Sequence, residues 1–353
     1  MNTKRNTLGR SNKTYTVGSL YSGIGGVCLG FQQSGAKVLW ANEFDKNACV
    51  TYRLNFTHHL YEQDVYTLDS KTVPKVDILT SGFPCQAFSI AGYQKGFKDS
   101  RGNHFFETLR FINHIKPKAI LLENVKNLKS HDKGNTFNVI KDFILNSGYS
   151  FISKVLNTKD FGDIPQNRER IFMIGFRDED YSDDFTMNPS AICSQNFKFP
   201  DQIPLTKTIQ DLFERKKVDK CFFYDNTYMY DELKKEMTKR DTVYQWRRMY
   251  VRENKSNVCP TLTANMGTGG HNVPLIKDQY GIRKLTPREC IRFQGFPESY
   301  HLPDIARTQL YKQIGNSVTV PLIKRIAEEI INSLNIKYKK KITRKDSKSL
   351  QLA

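Results

Sequence analysis

The chain has 353 residues, enough for one large domain and a smaller one. It carries 54 lysine and arginine residues against 36 acidic residues, and the resulting formal net charge of +18 favours nucleic acid over a membrane surface as the partner. The seven cysteines are scattered without a CxxC pair, which predicts reduced thiols in a cytoplasm and no metal site. The chain has no apolar signal segment and no apolar run near ~20 residues, which predicts a soluble protein.

The N-terminal part predicts a βαβ unit with a glycine-rich first turn. Residues 14–21 read as a strand that runs into Ser22-Gly23-Ile24-Gly25-Gly26, and a helix and a second strand follow. The GxGxxG fingerprint is incomplete, since Cys28 stands at the third glycine. Glu43 could accept hydrogen bonds from both hydroxyls of a ribose, Phe44 offers a face for adenine, and Asp64 could accept from its amino group. The alternative is an ordinary tight turn with a solvated glutamate.

A buried strand at residues 76–79 runs into Gly82-Phe83-Pro84-Cys85-Gln86. A cysteine just past the carboxyl end of a central strand lies where open α/β sheets bind their ligands. Residues 89–102 are rich in Gly, Lys and Ser and predict a mobile loop. These features indicate a nucleophile, Cys85, at the root of a flexible basic loop. The alternative is a buried structural thiol, the commoner fate of a free cysteine.

Two further segments place charged side chains near strand ends. Residues 119–122 predict a buried strand that ends at Glu123, whose carboxyl would face the same crevice as Cys85. Partial burial would raise its pKa and suit it to holding a proton. Arg168 and Arg170 alternate ahead of a core strand, so they point to one face and could donate to a phosphate or to a base carbonyl oxygen. A solvated glutamate and plain surface arginines are the alternatives.

The character of the chain changes near residue 178. Residues 181–280 are polar, aromatic and basic with weak periodicity, and 261–272 are dense in Gly, Thr and Asn. Such loops can approach base edges and phosphates, although a solvated insert is the bland alternative. Order returns at 283–297, and a last amphipathic helix is predicted at about 320–334. The basic run at 337–348 is expected to be disordered.

Six segments, in this order, resemble the motifs of the C5-cytosine DNA methyltransferase family of bacterial restriction–modification systems. They are Ser22–Gly26, Gly82–Gln86, Glu123–Val125, Gln166–Arg170, Arg283–Pro297 and Gly315–Val318. The resemblance implies an α/β fold, with a Rossmann-like S-adenosylmethionine-dependent methyltransferase domain built on a mixed sheet and a smaller irregular target-recognition domain. We expect the first domain at 14–180, the second with its hinge at 181–305, a return segment with the final helix at 306–336, and a basic tail at 337–353.

The resemblance also implies a mechanism. A cytosine is flipped from the duplex, the Cys85 thiolate adds to ring carbon 6, and Glu123 supports protonation at ring nitrogen 3. Arg170 holds the base carbonyl oxygen, and Arg168 supports the loop and its contacts. Two departures affect contacts rather than reacting groups: Ser19 stands where many members have Asp, and Ala91 where some have a loop serine.

The remaining expectations concern ligands and partners. The cofactor, S-adenosylmethionine, is expected to contact Tyr21, Gly23, Ile24, Gly26, Glu43, Phe44, Asp64, Val65, Pro84 and Asn316. The expected DNA contacts are Gln86, Arg101, Arg247, Arg248, Arg252, Thr261, Thr263, Asn265, Gly267, Thr268 and Gly269, with the arginines of 247–252 on phosphates. The expected substrate is double-stranded DNA, and the expected functional partner is a cognate restriction endonuclease. The protein is expected to be a monomer encoded by a bacterium or a phage. A tRNA cytosine methyltransferase, a silent DNA-binding relative and a nicotinamide-dependent oxidoreductase are the rival interpretations.

Overall fold

The computed structural model describes residues 13–84, 104–177, 197–247, 249–254, 257–269 and 271–349, with side chains as far as Asn335. Several predicted features lie outside the described residues. They are the nucleophile Cys85, the DNA contacts Gln86, Arg101 and Arg248, the loop at 89–102 with Ala91, and the end of the basic tail.

A seven-stranded mixed sheet is the central layer. Its strands are β1 (Thr16–Leu20), β2 (Lys37–Asn42), β3 (His59–Tyr61), β4 (Ile78–Ser81), β5 (Ala119–Val125), β6 (Ile152–Asn157) and β8 (Glu169–Phe176), with the two-residue β7 (Gln166–Asn167) outside it. The order is β3-β2-β1-β4-β5-β8-β6; the first five are parallel neighbours and β8 runs antiparallel to both β5 and β6. All four residues of β4 and the first four of β5 are buried, because both faces of these strands are covered.

Helices cover both faces of this sheet. Their bounds are α1 (Gly26–Gln33), α2 (Lys46–Asn55), α3 (His104–Ile115), α4 (Asn135–Asn146), α5 (Thr158–Phe161), α6 (Tyr230–Glu236), α7 (Pro287–Arg292), α8 (Arg307–Asn316) and α9 (Val320–Ser349), with 3-10 turns at Lys126–Lys129, His131–Gly134, Gln210–Leu212 and Lys220–Phe222. On one face, α9 packs against α1 so closely that a Cβ on Gly30 would lie 2.6 Å from Ile323. On the other, Phe105, Ile112 and Ile140 form a separate apolar cluster. None of the helices in the described part of the chain has the length and apolar content of a membrane span.

A second, four-stranded sheet forms within the segment that the sequence predicts to be irregular. It consists of β9 (Tyr244–Trp246), β10 (Val251–Glu253), β12 (Pro274–Lys277) and β13 (Ile282–Lys284), in the antiparallel order β10-β9-β12-β13. The short β11 (Cys259–Pro260) pairs with β7 instead. Strands of three or four residues are too short for an alternating pattern to show in the sequence, which explains why this sheet is not predicted.

Helix α9 is longer than the sequence predicts. The sequence predicts its end near residue 334, whereas the helix continues to Ser349. Residues 322–349 contain neither Gly nor Pro, and their many Lys residues are good helix formers. The Tyr15 hydroxyl, one residue before β1, donates to Oδ1 of Asn335 over 3.2 Å. Helix α9 therefore leaves the core at the edge where the parallel strands have their amino ends.

Candidate active site

The carboxyl ends of β1, β4 and β5 meet at one edge of the sheet, since Leu20 pairs with Ser81 and Ser81 with Leu122. Glu123 is the next residue of β5, so it lies near the carboxyl end of this strand as predicted. A Cβ on Gly82 would be 3.6 Å from Oε2 of Glu123. The turn that leads to Cys85 therefore passes directly beside this carboxyl group.

The carboxyl of Glu123 is paired with Arg170 across the antiparallel strands β5 and β8. Nε of Arg170 lies 3.1 Å from Oε1 of Glu123, and the two side chains are 16% and 13% exposed. Burial raises the pKa of the Glu123 carboxyl, while the nearby positive charges of Arg170 and Arg168 act in the opposite direction. The pair thus combines a carboxyl with raised proton affinity and a cation, both at the edge of the crevice.

Asn124, which the sequence analysis did not single out as a functional residue, fixes the neighbouring turn. It is 3% exposed, and its Nδ2 donates to the carbonyl oxygen of Phe83 over 2.9 Å. This bond ties β5 to the segment that carries Cys85. A polar residue that interrupts an otherwise apolar strand was the available signal.

Unlike Arg170, which pairs with Glu123, Arg168 is held by backbone carbonyl oxygens. It is 2% exposed, and its Nη1 donates to the carbonyl oxygen of Leu262 over 2.8 Å. Its Nη2 donates to the carbonyl oxygens of Gly315, over 3.0 Å, and Ser317. Burial lowers its pKa. Of the two roles expected for Arg168, these bonds favour support of the loop over donation to a phosphate or base, because they join three separate segments of the chain.

Glu43 is held by backbone amides at the end of β2. Its Oε1 accepts from the amides of Phe44, over 2.9 Å, and Asp45, over 2.8 Å, and its Oε2 accepts from Gly23 over 2.8 Å. Burial raises the pKa of the carboxyl, and these three bonds oppose that rise. Since a carboxylate has about four acceptor positions, one remains on Oε2. The prediction that Glu43 accepts from the ribose hydroxyls stays a prediction, and this remaining position is one at which such a bond would form.

The predicted cofactor contacts divide into open and packed positions. Gly23 has a φ of 55°, and no atom lies within 4 Å of the point that a Cβ would occupy there, whereas a Cβ on Gly26 would lie 2.8 Å from Oγ of Ser317. Phe44 is 65% exposed beside Glu43, and Ile24 is fully buried. Gly26 and Ile24 thus position the turn, while Gly23 and Phe44 face open space.

The other predicted cofactor contacts surround the same edge. Asp64, Pro84 and Asn316 are exposed, and Val65 is buried. The Tyr21 hydroxyl donates to the carbonyl oxygen of His104 over 3.0 Å. An exposed aromatic ring, a remaining carboxylate acceptor and a glycine with open space form a donor and acceptor set that fits the adenosine part of S-adenosylmethionine.

A cleft of about 260 Å³ lies beside this edge, between β7 and the second sheet. Among its lining residues are the predicted DNA contacts Arg247, Arg252, Thr261 and Thr263, together with Asn272. Thr261 Oγ1 donates to the carbonyl oxygen of Asn167 over 2.6 Å. Arg247 and Arg252 are therefore brought to the same surface as the threonines, as a DNA-reading cleft requires.

The loop at 261–269 is organised around Asn265. Its Oδ1 accepts from Oγ1 of Thr263, over 2.7 Å, and Nδ2 of Asn272, over 3.0 Å, and its carbonyl oxygen accepts from Oγ1 of Thr268 over 2.9 Å. A Cβ on Gly267 would lie 2.5 Å from the Tyr311 ring. Gly267 is thus required for packing against α8. Gly269, by contrast, has a φ of 90° with open space around it.

We expect Glu43→Ala to weaken cofactor binding by about 1–3 kcal/mol, because one bond to a charged acceptor is lost. Calorimetry with S-adenosylhomocysteine measures this dissociation constant. Glu62→Ala is the matched control, since Glu62 pairs with Arg53 on the surface and has no predicted ligand contact. Equal dissociation constants for Glu43→Ala and the wild type would contradict the assignment.

The comparisons with known proteins agree with each other. The family model described as C-5 cytosine-specific DNA methylase matches residues 15–332. The Type II methyltransferase M.Bsp6I of Bacillus sp. strain RFL6 is 54% identical over 323 residues, which cover 90% of this chain and 99% of the relative. The Type II methyltransferase M.HhaI of Haemophilus parahaemolyticus is 40% identical, with 90% and 94% covered. The crystal structure of S. pombe Dnmt2 methyltransferase shares the fold, with a TM-score of 0.67 at 20% identity over 92% of this chain and 100% of that one.

Proposed function

Since the chain belongs to the C-5 cytosine-specific DNA methylase family and transfers a methyl group from S-adenosylmethionine to cytosine in DNA, we propose that Cys85, Glu123 and Arg170 carry the chemistry. The proposal rests on the position of Gly82 in the turn that leads to Cys85, since a Cβ on Gly82 would lie 3.6 Å from Oε2 of Glu123. The identities of 54% and 40% to Type II enzymes favour DNA over tRNA and an active enzyme over a silent relative.

Each of these residues has one role. A cytosine leaves the stack, because a nucleophile cannot reach the ring face inside a duplex. The Cys85 thiolate forms a bond to ring carbon 6, and Glu123 supports protonation of ring nitrogen 3 as the ring electrons move toward carbon 5. Arg170 donates to the base carbonyl oxygen. After methylation, a base removes the proton from carbon 5, the C–S bond breaks and the thiolate of Cys85 returns.

The cofactor is held by the turn after β1 and the end of β2. S-adenosylmethionine, when bound, supplies an electrophilic methyl group to ring carbon 5. Oε2 of Glu43 accepts from a ribose hydroxyl, the exposed ring of Phe44 stacks on the adenine, and Asp64 accepts from its amino group. Gly23 permits the close approach of the ligand to the backbone.

The second sheet and the cleft beside it read the target site. Residues 14–180 and 306–336 form the catalytic domain in this proposal, and residues 181–305 form the target-recognition domain. Arg247 and Arg252 position the duplex through its phosphates, and Thr263 and neighbouring loop residues contact base edges. We also propose that the protein is a monomeric cytoplasmic enzyme that protects DNA from a cognate restriction endonuclease. The Type II names of the relatives support the protective role.

Bisulfite sequencing of DNA from cells that express the chain should reveal 5-methylcytosine at one short sequence. An exchanged variant should carry a relative's residues only at 247–250 and 263–272, with Met266 retained because it is buried. We expect this variant to methylate a different sequence, since each good base contact discriminates by about 1–3 kcal/mol. Methylation of the original sequence by the exchanged variant would place recognition elsewhere, and no methylation by the wild-type chain would reject the proposed reaction.

A further inference from the structure

Helix α8 contacts the recognition loop, residues 261–269, along one of its faces. A Cβ on Gly315 would lie 2.5 Å from the backbone nitrogen of Ala264, so the helix and the loop meet backbone against backbone. One helical turn earlier, the Tyr311 ring lies 2.5 Å from the point that a Cβ on Gly267 would occupy. Because contacts as close as these leave no free space between the two segments, a displacement of the loop moves α8 with it.

A second face of α8 contacts α2, which begins just after the predicted cofactor contacts Glu43 and Phe44. Nζ of Lys312 lies 2.7 Å from Oδ2 of Asp45, the residue that caps the amino end of α2. The amide of Asp45 in turn donates to Oε1 of Glu43 over 2.8 Å. One ion pair and one hydrogen bond thus lead from α8 to the carboxylate that is proposed to accept from the ribose.

Gln313 makes a parallel connection inside the protein. It is 7% exposed, and its Oε1 accepts from Oγ1 of Thr51 in α2 over 2.7 Å. Its Nε2, by contrast, has no hydrogen-bond partner in the described part of the chain. A buried amide with an unpaired donor lowers stability, and a leucine of similar size would avoid that cost. The presence of an amide at this position therefore indicates a role other than packing.

The cofactor contact predicted on α8, Asn316, lies on the second face. At about 100° per residue, Asn316 falls between Lys312 and Gln313 in helical angle. Tyr311 and Gly315 lie about 100–140° away from Asn316 on the same scale. Helix α8 therefore presents one face to the recognition loop and the other to the adenosine end of the proposed cofactor site.

We propose that Lys312 and Gln313 are positioning residues that couple target reading to cofactor binding, an inference that rests on the proposed function of the recognition loop and of Glu43. When base contacts fix the loop, they fix α8 with it. The ion pair to Asp45 and the bond to Thr51 then hold α2 and the neighbouring Glu43 carboxylate in place for a ribose hydroxyl. A duplex with the target sequence thus raises the affinity for the cofactor, and the cofactor raises the affinity for that duplex by the same factor.

Calorimetry with S-adenosylhomocysteine measures this coupling. The dissociation constant is determined for the free protein and again with a saturating duplex that carries the sequence mapped by bisulfite sequencing. The ratio of the two constants is the coupling factor. We expect a factor of at least about five for the wild type. A duplex made only of A·T pairs should give a factor at least about threefold smaller, because the loop finds no target there.

Lys312→Met and Gln313→Leu test the two residues. We expect each to lower the coupling factor by at least about threefold. Lys324→Met is the matched control and should leave the factor unchanged, because Lys324 forms an exposed ion pair within α9. Urea denaturation of Gln313→Leu should give a free energy of unfolding no lower than wild type, since the unpaired amide is removed and Thr51 keeps its bond to the carbonyl oxygen of Asn47. A merely structural role would instead lower stability and leave the coupling factor unchanged.

Asp45→Asn tests the route from Lys312 to the cofactor site. Asparagine keeps an oxygen that caps α2 but removes the charge, so the coupling factor should fall as far as in Lys312→Met. Wild-type coupling factors in Lys312→Met and Gln313→Leu would overturn the proposal, as would equal factors for the target and A·T duplexes. A factor of one for the wild type, with methylation of the mapped sequence intact, would reject the coupling while the proposed function stands.

Discussion

Cys85→Ser is expected to lower the rate of methyl transfer by roughly 10⁴-fold or more while the binding of DNA and cofactor stays close to wild type. A serine hydroxyl is far less ionised than a thiol at neutral pH, so the addition to ring carbon 6 fails. The substitution changes one atom, and the bond from Asn124 to Phe83 still holds the preceding turn. Tritium transfer from labelled cofactor measures the rate, and a gel shift measures DNA binding.

Cys221→Ser is the matched control for this experiment. Cys221 is an exposed thiol outside the candidate active site, so its replacement should leave methyl transfer unchanged. Transfer by Cys85→Ser at a rate near that of Cys221→Ser would exclude Cys85 as the nucleophile. Loss of DNA binding together with activity in Cys85→Ser would indicate a disturbed turn rather than a missing nucleophile.

Arg168→Met is expected to lower the free energy of unfolding by about 2–5 kcal/mol. Methionine keeps most of the length of the side chain but leaves the carbonyl oxygens of Leu262, Gly315 and Ser317 without their donor. Relief of the cost of burying a guanidinium offsets only part of this loss. Urea denaturation measures the free energy of unfolding.

Arg247→Met provides the comparison for Arg168→Met. The Arg247 side chain is half-buried and, among the described residues, donates one 3.4 Å bond to the carbonyl oxygen of His271, so the stability should change by less than about 1 kcal/mol. DNA binding should respond in Arg247→Met, because Arg247 lines the cleft. Similar unfolding free energies for Arg168→Met and wild type would show that water replaces the guanidinium.

The parallel part of the fold could be predicted because its strands are apolar runs that end at recognisable turns. The sequence also indicates helix α3 (His104–Ile115), since its apolar residues recur with the helical period and Pro117 follows. The four-stranded sheet could not be predicted, because its strands pair across intervals of up to 31 residues and are only three or four residues long. Tertiary pairing, not local pattern, produces that sheet.

The candidate site was predictable where the chemistry itself selects the residue type. A carboxyl beside a cysteine-bearing turn is a chemical signal, and the structure brings Glu123 to that turn. Only the family resemblance separates the roles of Arg168 and Arg170, because their alternation gives a shared face and does not identify the carbonyl oxygens, 94 to 149 residues away, that hold Arg168. The role of Gly267 was hidden for the same reason, since Tyr311 belongs to a distant helix.

The contact between α1 and α9 determines how late in translation this enzyme can complete its fold. Gly30 of α1 packs against Ile323 of α9, and Tyr15 and Asn335 are hydrogen-bonded although 320 positions separate them. The nascent sheet must therefore wait, with one apolar face uncovered, until nearly all the described chain has been translated. Closing so long a segment also slows folding, because the entropy of the chain is lost before these contacts form. The proposed protection of host DNA thus begins only when translation has passed α9, which places a minimum delay between the start of synthesis and the first methylated site.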